Sequence, residues 1–461
     1  MSRQQPLRAV KGMRDILPPE SALWEHIEQT AREVFRSYAY REIRTPLVEP
    51  TELFARGVGQ DTDIVTKEMY SWEDRDKSSL TLRPEATASV VRAYIEHKLY
   101  EQPGLKKLYY MGPMFRRERP QKGRYRQFFQ IGAEAIGSDS PAVDAELLEM
   151  LVELLHSLYL FDYVLWLNSV GCSECRPRYV SALRQELVKV RHQLCENCQR
   201  RSETNPLRVL DCKVPADQPI IERLPVLSDS LCAACKSHFE QLQVYLRDRN
   251  IPFSHQQRLV RGLDYYTRTT FEFVHGSLGA QNSLLGGGRY DGLSEALGGP
   301  PAPGIGFSIG EDRLALILLQ ATIETPLHAA PYTPLFIAWV GENVYRYAAE
   351  LARELRLRNI PVELPPDSLE LSRSLHLASR KRCNHVLIIG EQELTEGKYI
   401  LRDMDKRQQT TVTKEELLKL WPTLTRDFED PWSLEEWVQK FRGAPTSSGS
   451  PNSGKEEGER K

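Results

Sequence analysis

The stretch Met114-Phe-Arg-Arg-Glu-Arg-Pro-Gln-Lys-Gly-Arg-Tyr-Arg-Gln-Phe-Phe-Gln130 places six cationic side chains between two apolar arms. Its flanks, residues 107–115 and 126–137, predict two strands around a long basic loop. Arginines on such a hairpin suit a polyphosphate ligand, because their guanidinium groups bind phosphate oxygens bidentately and stay charged at any relevant pH. A solvated basic loop, or a general RNA-contact patch, is the competing interpretation, since runs of charge usually lie on the surface.

The segments around this hairpin predict a mixed chain of helices and strands. Apolar side chains recur along one face in two segments, as in amphipathic helices, and two others are rich in strand-forming residues. Helices are predicted at residues 20–38 and 141–159, and strands at residues 163–170 and 268–274. Glycine- and proline-rich turns are predicted at residues 286–292 and 298–310.

Bulk composition narrows the class of protein. A chain of 461 residues is long enough for two or three domains with their own cores. Its 61 basic and 63 acidic side chains give a net charge of −2, so local basic patches must carry any RNA contact. No apolar run approaches the roughly 18 residues of a membrane span, and residues 1–14 lack an apolar signal core. These features predict a cytoplasmic protein.

Three changes in sequence character predict the domain organisation. Residues 171–237 carry seven of the eight cysteines and are less periodic, which indicates an insertion domain. Residues 331–421 have an α/β pattern with buried-strand runs at 335–340 and 386–389. The final stretch, 443–461, has almost no apolar residues and is predicted to be disordered.

The basic hairpin resembles motif 2 of the class II aminoacyl-tRNA synthetases, in the form found in the histidine-specific enzymes. The resemblance implies that Arg116 clamps the α-phosphate of ATP and the substrate carboxylate. It implies that Glu118 and Arg124 also belong to the ATP site, with Glu118 near the adenine. It further implies that Gln130 and Glu134 line the amino-acid pocket.

A second arginine centre is the stretch Arg261-Gly-Leu-Asp-Tyr-Tyr-Thr-Arg-Thr-Thr-Phe-Glu-Phe273. Taken alone, a pair of consecutive tyrosines belongs to a hydrophobic core more often than to a binding site. The stretch resembles the motif that separates histidine-specific synthetases from other class II enzymes, which implies that Arg261 is the catalytic arginine on the α-phosphate. By the same resemblance, Tyr265 and Tyr266 line the histidine pocket. An imidazole needs one acceptor and one donor, which Glu134 and a tyrosine hydroxyl supply.

Two glycine-containing motifs accompany these centres. Leu285-Gly-Gly-Gly-Arg-Tyr-Asp-Gly-Leu293 permits close backbone approach to a ligand, although a flexible hairpin would have the same composition. The family resemblance implies that Tyr290 closes the imidazole pocket. Gly304-Ile-Gly-Phe-Ser-Ile-Gly-Glu-Asp-Arg313 resembles motif 3 and implies that Arg313 meets the γ-phosphate, whereas in isolation it would be an ordinary strand, turn and helix.

Two further segments match the family near the N-terminus. Residues 40–49 resemble motif 1, whose proline, here Pro46, lies at a homodimer interface, but an edge strand with a proline has the same appearance. Leu82-Arg-Pro-Glu-Ala-Thr87 resembles the loop that binds the substrate amino group. The resemblance gives that role to Glu85 and Thr87.

The chain departs from the family pattern at three places. Ala86 stands where the family usually has glycine, and Phe129 where it commonly has histidine. Leu284 and Leu285 precede the glycine run, where the family often has small residues. The neighbouring motif residues are intact, and the sequence leaves open how each departure affects substrate binding.

Six motifs in the family order imply an α+β protein with an antiparallel-sheet class II catalytic core. The core would comprise residues 1–170 and 238–325, interrupted by the insertion at 171–237, and residues 331–421 would bind the anticodon. The implied reaction is ATP-dependent ligation of L-histidine to tRNA(His) through a histidyl-adenylate, with release of AMP and pyrophosphate. Mg²⁺ accompanies ATP, and the chain is expected to be a homodimer.

Two other functions are weighed against this one. A regulatory paralogue without ligase activity, such as the synthetase-like subunit of ATP phosphoribosyltransferase, would lack motif residues and the C-terminal domain. A non-enzymatic RNA-binding module would not need intact ATP and histidine motifs. The intact stretch at 261–266 and the C-terminal domain favour the ligase.

The insertion carries three Cys-x2-Cys pairs, at Cys172/Cys175, Cys195/Cys198 and Cys232/Cys235, together with Cys212. The first two pairs are 19 residues apart, within the range expected of a four-cysteine zinc site. The family as a group does not need zinc, so a structural zinc, reduced thiols and a redox role all stay open. No metal ligand is expected among the catalytic residues, and any zinc would be remote from catalysis.

Overall fold

An eight-stranded sheet forms the centre of the first of two structural units, which comprise residues 1–326 and 327–461. The structure, a computed structural model, describes residues 7–18, 20–60, 62–120, 123–276, 283–321, 334–381 and 383–424. The tail predicted to be disordered, residues 443–461, lies outside the described residues.

The strands of the first unit are β1 (Arg41–Glu42), β2 (Val48–Pro50), β3 (Tyr70–Glu73), β4 (Ser79–Leu82), β5 (Lys106–Phe115), β6 (Gln127–Ile136), β7 (Val164–Ser169), β8 (Ser254–His255), β9 (Thr267–Val274), β10 (Ser283–Arg289) and β11 (Gly304–Gly310). The large sheet has the order β1-β5-β6-β11-β10-β9-β7-β8. Its six inner strands are antiparallel, and the short strands β1 and β8 join the two edges in parallel. The predicted antiparallel core is therefore confirmed.

The basic hairpin is the long pair β5–β6. Its register runs from Lys106 opposite Ile136 to Phe115 opposite Gln127, so the predicted strand arms are confirmed to within a residue. Side chains two residues apart point to the same face of a strand. Gln130 and Glu134 consequently share one face of β6.

The turns predicted at residues 286–292 and 298–310 are wrong where their glycines belong to the central strands β10 and β11. A Cβ atom on Gly287 would lie 2.1 Å from the carbonyl oxygen of Gly306 on the neighbouring strand. The backbones approach too closely there for any side chain. The glycines thus serve close packing within the sheet.

Ten helices of the described part of the first unit surround the two sheets. They are α1 (Glu20–Ser37), α2 (Thr51–Val58), α3 (Thr87–Glu96), α4 (Pro141–Ser157), α5 (Cys175–Val190), α6 (Glu196–Thr204), α7 (Gln218–Ile221), α8 (Ala233–Asp248), α9 (Leu293–Ala296) and α10 (Glu311–Ala321). The predicted face of α1 is buried, including Ile27 and Phe35. The hydroxyl of Ser140 caps α4 by accepting from the Ala142 amide at 3.3 Å.

A buried ion pair fixes α4 against the sheet. Arg289 Nη1, at the end of β10, lies 3.1 Å from Asp144 Oδ1 in the first turn of α4, and both side chains are fully buried. The Thr269 hydroxyl of β9 donates to Asp144 Oδ2 at 2.6 Å. Loss of either charge would leave the other buried without compensation, so the pair resists displacement of the helix.

Residues 171–237 form the helices α5, α6 and α7, and the first residues of α8, with a core of their own. Tyr179 and Leu183 of α5 pack in this core with Val209, and Tyr266 joins it from outside the segment. The boundary predicted at residue 237 falls inside α8, which continues to Asp248 and packs against α4.

The second unit has one five-stranded sheet and four helices among its described residues. They are β12 (Leu335–Trp339), α11 (Val344–Leu357), β13 (Val362–Glu363), α12 (Leu371–Arg380), β14 (His385–Ile389), α13 (Glu391–Glu396), β15 (Tyr399–Asp403), β16 (Gln409–Val412) and α14 (Lys414–Leu424). The sheet order is β13-β12-β14-β15-β16, and its first three strands are parallel. The predicted buried runs are the strands β12 and β14. None of the helices that the structure describes is long and apolar enough to cross a membrane.

Replacing Gly287 with alanine is expected to destabilise the first unit by about 1–3 kcal/mol, because the added methyl group meets the backbone of the neighbouring strand. Gly292→Ala is the matched control, since a Cβ there has no neighbour within 4 Å and its φ is −95°. Thermal unfolding should show a lower Tm for the first variant alone. Equal melting temperatures would contradict the close approach.

Candidate active site

One cleft of about 560 Å³ in the first unit brings together residues that are far apart in the chain. Every residue predicted to bind histidine or ATP lines it, except Glu134. Helix α3, the hairpin β5–β6, the strands β10 and β11, and the loop at 261–266 all contribute to its walls.

Glu134 lies behind the wall of the cleft and holds two of its side chains. Its carboxylate accepts hydrogen bonds from the Thr87 hydroxyl and from the Tyr290 hydroxyl, each at 2.7 Å. A Cβ atom at Gly306 would lie 1.7 Å from the carboxylate, so the glycine of β11 is needed to make room for it. Glu134 therefore orients Thr87 and Tyr290, which do face the cleft.

The environment of Glu134 favours its neutral form. Complete burial raises the pKa of its carboxyl group to about 8 from an ordinary value of 4.5. The hydrogen bonds from Tyr290 and Thr87 oppose this rise, and the nearby Glu85 adds to it. A carboxyl group with this pKa titrates near neutral pH.

Glu85 lies at the start of α3 and faces the same pocket. Its carboxylate accepts from the backbone amides of Thr87 at 2.7 Å and Ala88 at 3.0 Å, and so caps the helix. Burial raises the pKa of this carboxyl group, while the two amide bonds lower it. A carboxylate has about four lone-pair sites, so capacity is left for a ligand ammonium group.

Three aromatic rings form another part of the cleft wall. The rings of Tyr265 and Tyr266 have centroids 4.8 Å apart, and Tyr265 meets Tyr290 edge-on at 6.0 Å. Gln130 reaches the cleft from β6, and its Nε2 lies 3.5 Å from the Ser308 hydroxyl. Within the described residues its buried Oε1 has no hydrogen-bond partner. A buried acceptor without a donor destabilises the fold, and a ligand that donates to it would remove that cost in free energy.

The other end of the cleft is cationic. Arg116, directly after β5, donates from Nε to the Pro84 carbonyl at 2.9 Å, and its guanidinium lies 5.2 Å from the Phe128 ring centroid. Glu118 lies 3.6 Å from Arg116 and 3.2 Å from Arg124. The acidic side chain thereby links the two arginines of the basic loop.

Arg261 and Arg313 complete this cationic end. Arg261 lies over Gly286, where a Cβ would be 2.6 Å from its guanidinium carbon, and it donates to Glu272 at 2.7 Å. Arg313 follows β11 and donates to the Ser283 carbonyl at 2.6 Å. Burial lowers the pKa of the Arg313 guanidinium, and the positive charge of Arg124 lowers it further. So dense a group of cations is stabilised by a polyanion.

The three departures from the family pattern have structural explanations. The methyl group of Ala86 is fully buried in an apolar cluster with Tyr110 and Tyr290, so the fold accommodates it. Phe129 points away from Gln130 and packs edge-on against Trp24 at 5.2 Å. Leu284 and Leu285 are buried in β10 and line the cleft.

Several residues of the cleft were not predicted from the sequence. Tyr110 of β5 and Glu272 of β9 lie in strands, where only the three-dimensional sheet decides which face meets the cleft. Asp211 and Lys213 come from the insertion. Their one sequence signal is their place on either side of Cys212, which indicated no part in catalysis.

The structure corrects two expectations about the cysteines. The spacing that would suit a zinc site joined the first two pairs, but Cys172 and Cys175 lie with Cys232 and Cys235, and Cys195 and Cys198 lie with Cys212 and Asp217. The clusters are also not remote from the cleft. Arg176, next to Cys175, donates to the carbonyl groups of Asp264 and Tyr266. Sequence spacing missed this because the pairs are brought together by helix packing.

The antiparallel sheet with its arginine-bearing hairpin places this chain among the class II aminoacyl-tRNA synthetases. The sequence model of a family described as "Histidyl-tRNA synthetase" matches residues 12–314, and one described as "Anticodon binding domain" matches residues 335–422. The first match covers more than half of the chain. The chain therefore belongs to the histidyl-tRNA synthetase family.

Individual relatives agree with this assignment. The chain is 58% identical over 412 residues to a histidine–tRNA ligase of Solibacter usitatus, covering 89% of this chain and 98% of that protein. It is 53% identical over 422 residues to one of Koribacter versatilis, covering 89% and 95%. The crystal structure of apo histidyl-tRNA synthetase from S. aureus has a TM-score of 0.75 and 38% identity, covering 90% of this chain and 99% of that chain.

The pKa of Glu134 predicts a pH-dependent difference between the wild type and Glu134→Gln. Between pH 4.5 and about 8 the folded wild type holds a proton that the unfolded chain has released. Stability from this group therefore falls as the pH rises through that window. The Tm of the variant relative to the wild type should increase by a few degrees from about pH 5 to about pH 8, as measured by thermal unfolding. A constant difference would contradict the raised pKa.

Proposed function

We propose that this cleft activates histidine with ATP and then transfers it to tRNA(His). As a member of its family, the chain is an ATP-dependent aminoacyl-tRNA ligase. The assignment to this cleft rests on the different chemistry of its two ends. A buried pocket of tyrosines and carboxylates opens directly onto a group of four arginines.

The pocket suits the side chain and the amino group of histidine. The Tyr290 hydroxyl, held by Glu134, and the hydroxyls of Tyr265 and Tyr266 supply the donor and acceptor that an imidazole needs. Glu85 and Thr87 bind the α-ammonium group. Amino acids without ring nitrogens would leave these buried polar groups unpaired and are rejected for that reason.

The arginines serve the adenylation step. The histidine carboxylate attacks the α-phosphate of ATP, which arrives as its Mg²⁺ complex, and histidyl-adenylate and pyrophosphate result. Arg116 and Arg261 stabilise the charge that develops on the α-phosphate, and Arg313 binds the γ-phosphate. Glu118 and Arg124 bind the adenosine part. Catalysis rests on position and charge, without a covalent enzyme intermediate.

The second step takes place with tRNA(His) bound. Its terminal adenosine attacks the adenylate, giving the histidyl ester and AMP. The α/β region 331–421 binds the anticodon, in agreement with the family match over residues 335–422. Residues 1–170 and 238–325 form the catalytic core, and 171–237 the insertion. The chain works in the cytoplasm, where tRNA is charged.

An exposed apolar sheet face supports a homodimer. In the small sheet, where β4 pairs with both β2 and β3, Val48, Tyr70, Trp72 and Leu80 share one face. Val48 and Trp72 are 40% and 41% exposed, although this face is apolar. The strand β2 begins two residues after Pro46, the proline of motif 1. A second copy of the chain would remove this surface from water.

The dimer predicts that Trp72→Glu yields monomers, because a charge on this face opposes burial. Val188→Glu is the control, since Val188 is 77% exposed on α5, away from the small sheet. Size-exclusion chromatography with light scattering should give twice the chain mass for the wild type and the control alone. A wild type that is monomeric at micromolar concentration would refute the dimer.

Histidine-dependent exchange between ATP and pyrophosphate tests the adenylation site. The wild type should catalyse exchange with histidine and with none of the other standard amino acids. Arg261→Ala should lower the rate by roughly 10²–10³-fold, because it removes charge stabilisation at the α-phosphate. Arg184→Ala, an exposed arginine on α5, should leave it unchanged.

A folded wild type that shows no exchange with Mg²⁺ and histidine would overturn the ligase assignment and favour the regulatory paralogue. Full exchange in Arg261→Ala would leave the ligase in place and remove Arg261 from the catalytic residues.

A further inference from the structure

We propose that the insertion holds two structural zinc ions, in a four-cysteine site and a three-cysteine–aspartate site, and that both brace the loop at 261–266. The first site consists of Cys172, Cys175, Cys232 and Cys235, and the second of Cys195, Cys198, Cys212 and Asp217. In each site the four ligand atoms lie within 4.8 Å of one another.

The first site has the dimensions of a tetrahedral thiolate centre. The Sγ atom of Cys172 lies 3.6 Å from that of Cys175 and 3.9 Å from that of Cys232. Four sulfurs at about 2.3 Å from a zinc ion are about 3.8 Å apart, whereas a disulfide requires about 2.0 Å. The backbone amide of Cys232 donates to Cys175 Sγ at 3.0 Å, a bond that stabilises a thiolate ligand.

The second site differs by one oxygen ligand. The Sγ atom of Cys195 lies 3.9 Å from that of Cys212, which is 3.3 Å from Asp217 Oδ2. A sulfur and an oxygen on one tetrahedral zinc are about 3.5 Å apart. The side chain of Asp217 is buried among three thiols, and the backbone amide of Cys195 donates to both of its carboxylate oxygens, at 3.0 and 3.2 Å. These bonds hold the carboxylate beside the sulfur atoms as an oxygen ligand.

All three Cys-x2-Cys pairs lie at the start of a helix. Helix α5 begins at Cys175, and Cys195 and Cys232 are the N-cap residues of α6 and α8. The positive end of a helix dipole favours thiolates, which are the form that binds zinc. Three repeats of this arrangement favour metal ligation over isolated reduced thiols.

The first site is joined to the catalytic loop through Arg176. This residue follows Cys175 in the first turn of α5, and its guanidinium donates to the carbonyl groups of Asp264, at 3.1 Å, and Tyr266. Gly171, just before the site, accepts from the backbone amide of Arg268 at 2.8 Å. A fixed position of the cysteines thus fixes the backbone that carries Tyr265 and Tyr266.

The second site is joined to the other end of the same loop. Helix α6 starts at its cysteines and leads to Asn205, whose amide donates to the Asp264 carboxylate at 3.1 Å. Arg208, in the following turn, donates to the Gly262 carbonyl. The zinc ions would therefore set the position of Arg261 and of the tyrosines without touching a substrate.

Metal analysis of the full-length protein, purified under reducing conditions with zinc supplied, tests the two sites directly. Two zinc ions per chain are expected, and a count of zero or one would overturn the proposal, as would iron in place of zinc. The count does not depend on ligase activity, so its failure is distinct from failure of the proposed function.

Cysteine variants test the pairing. Serine at all of Cys172, Cys175, Cys232 and Cys235 should leave one zinc ion, because it removes a single site. Serine at Cys195, Cys198, Cys232 and Cys235 should leave none. Loss of both ions from the first variant as well would support a site shared by the first two pairs and refute the clusters. Cys383→Ser, at the one cysteine outside the insertion, is the control and should keep both ions.

If a serine variant does not fold, cadmium substitution in the wild type provides a second test of the two sites. The ¹¹³Cd-loaded wild type should give two NMR resonances, one typical of four sulfur ligands and one of three sulfurs and an oxygen. Asp217→Cys should move the second resonance to the four-sulfur region and leave the first in place. Two four-sulfur resonances in the wild type would overturn the role of Asp217.

The link to the loop is tested by exchange kinetics. Removal of either zinc should raise the KM for histidine in ATP–pyrophosphate exchange at least severalfold, because the tyrosines lose their support, while Cys383→Ser stays at the wild-type value. An unchanged KM in a variant that has lost a metal ion would show that the zinc ions stabilise the insertion only and do not brace the loop.

Discussion

The close approach of the glycine-bearing strands is the constraint on which the site depends. Where β10 passes β11, Gly287 and Gly306 leave no room for side chains, and the space above them is taken by other groups. Arg261 lies over Gly286, and the carboxylate of Glu134 lies against Gly306. Glycine at these positions lets the strands approach closely and leaves space for the side chains of Arg261 and Glu134.

Opposite charges compensate each other at two places in this unit. Arg289 and Asp144 neutralise each other beneath α4, and Arg261 pairs with Glu272. Glu134 is compensated differently, since two hydroxyl groups donate hydrogen bonds to its carboxyl group. Burial also raises the pKa of this group, which favours its neutral form. The cationic end of the cleft gathers four arginines, and the carboxylates of Glu118 and Glu272 pair with three of them. The polyphosphate proposed for this cleft would add further negative charge beside them.

The insertion contacts both the loop at 261–266 and the cleft. Its residues Arg176, Asn205 and Arg208 hold the loop at 261–266 from outside, while Asp211 and Lys213 reach the cleft itself. A loop has few backbone bonds of its own, and a site needs its side chains fixed to a fraction of an ångström. The cysteine clusters lie at the start of the helices that provide this support.

The sequence by itself determined the hairpin β5–β6 to within a residue, because strand periodicity is a local property. Its resemblance to the family gave the antiparallel core and eleven of the residues that line the cleft. Tertiary structure alone decided that the glycine runs are strands rather than turns, since a close approach involves two segments. It also decided that Glu134 accepts a hydrogen bond from Tyr290, and that the first cysteine pair lies with the third. Spacing along a chain cannot fix these contacts, because helix packing brings distant residues together.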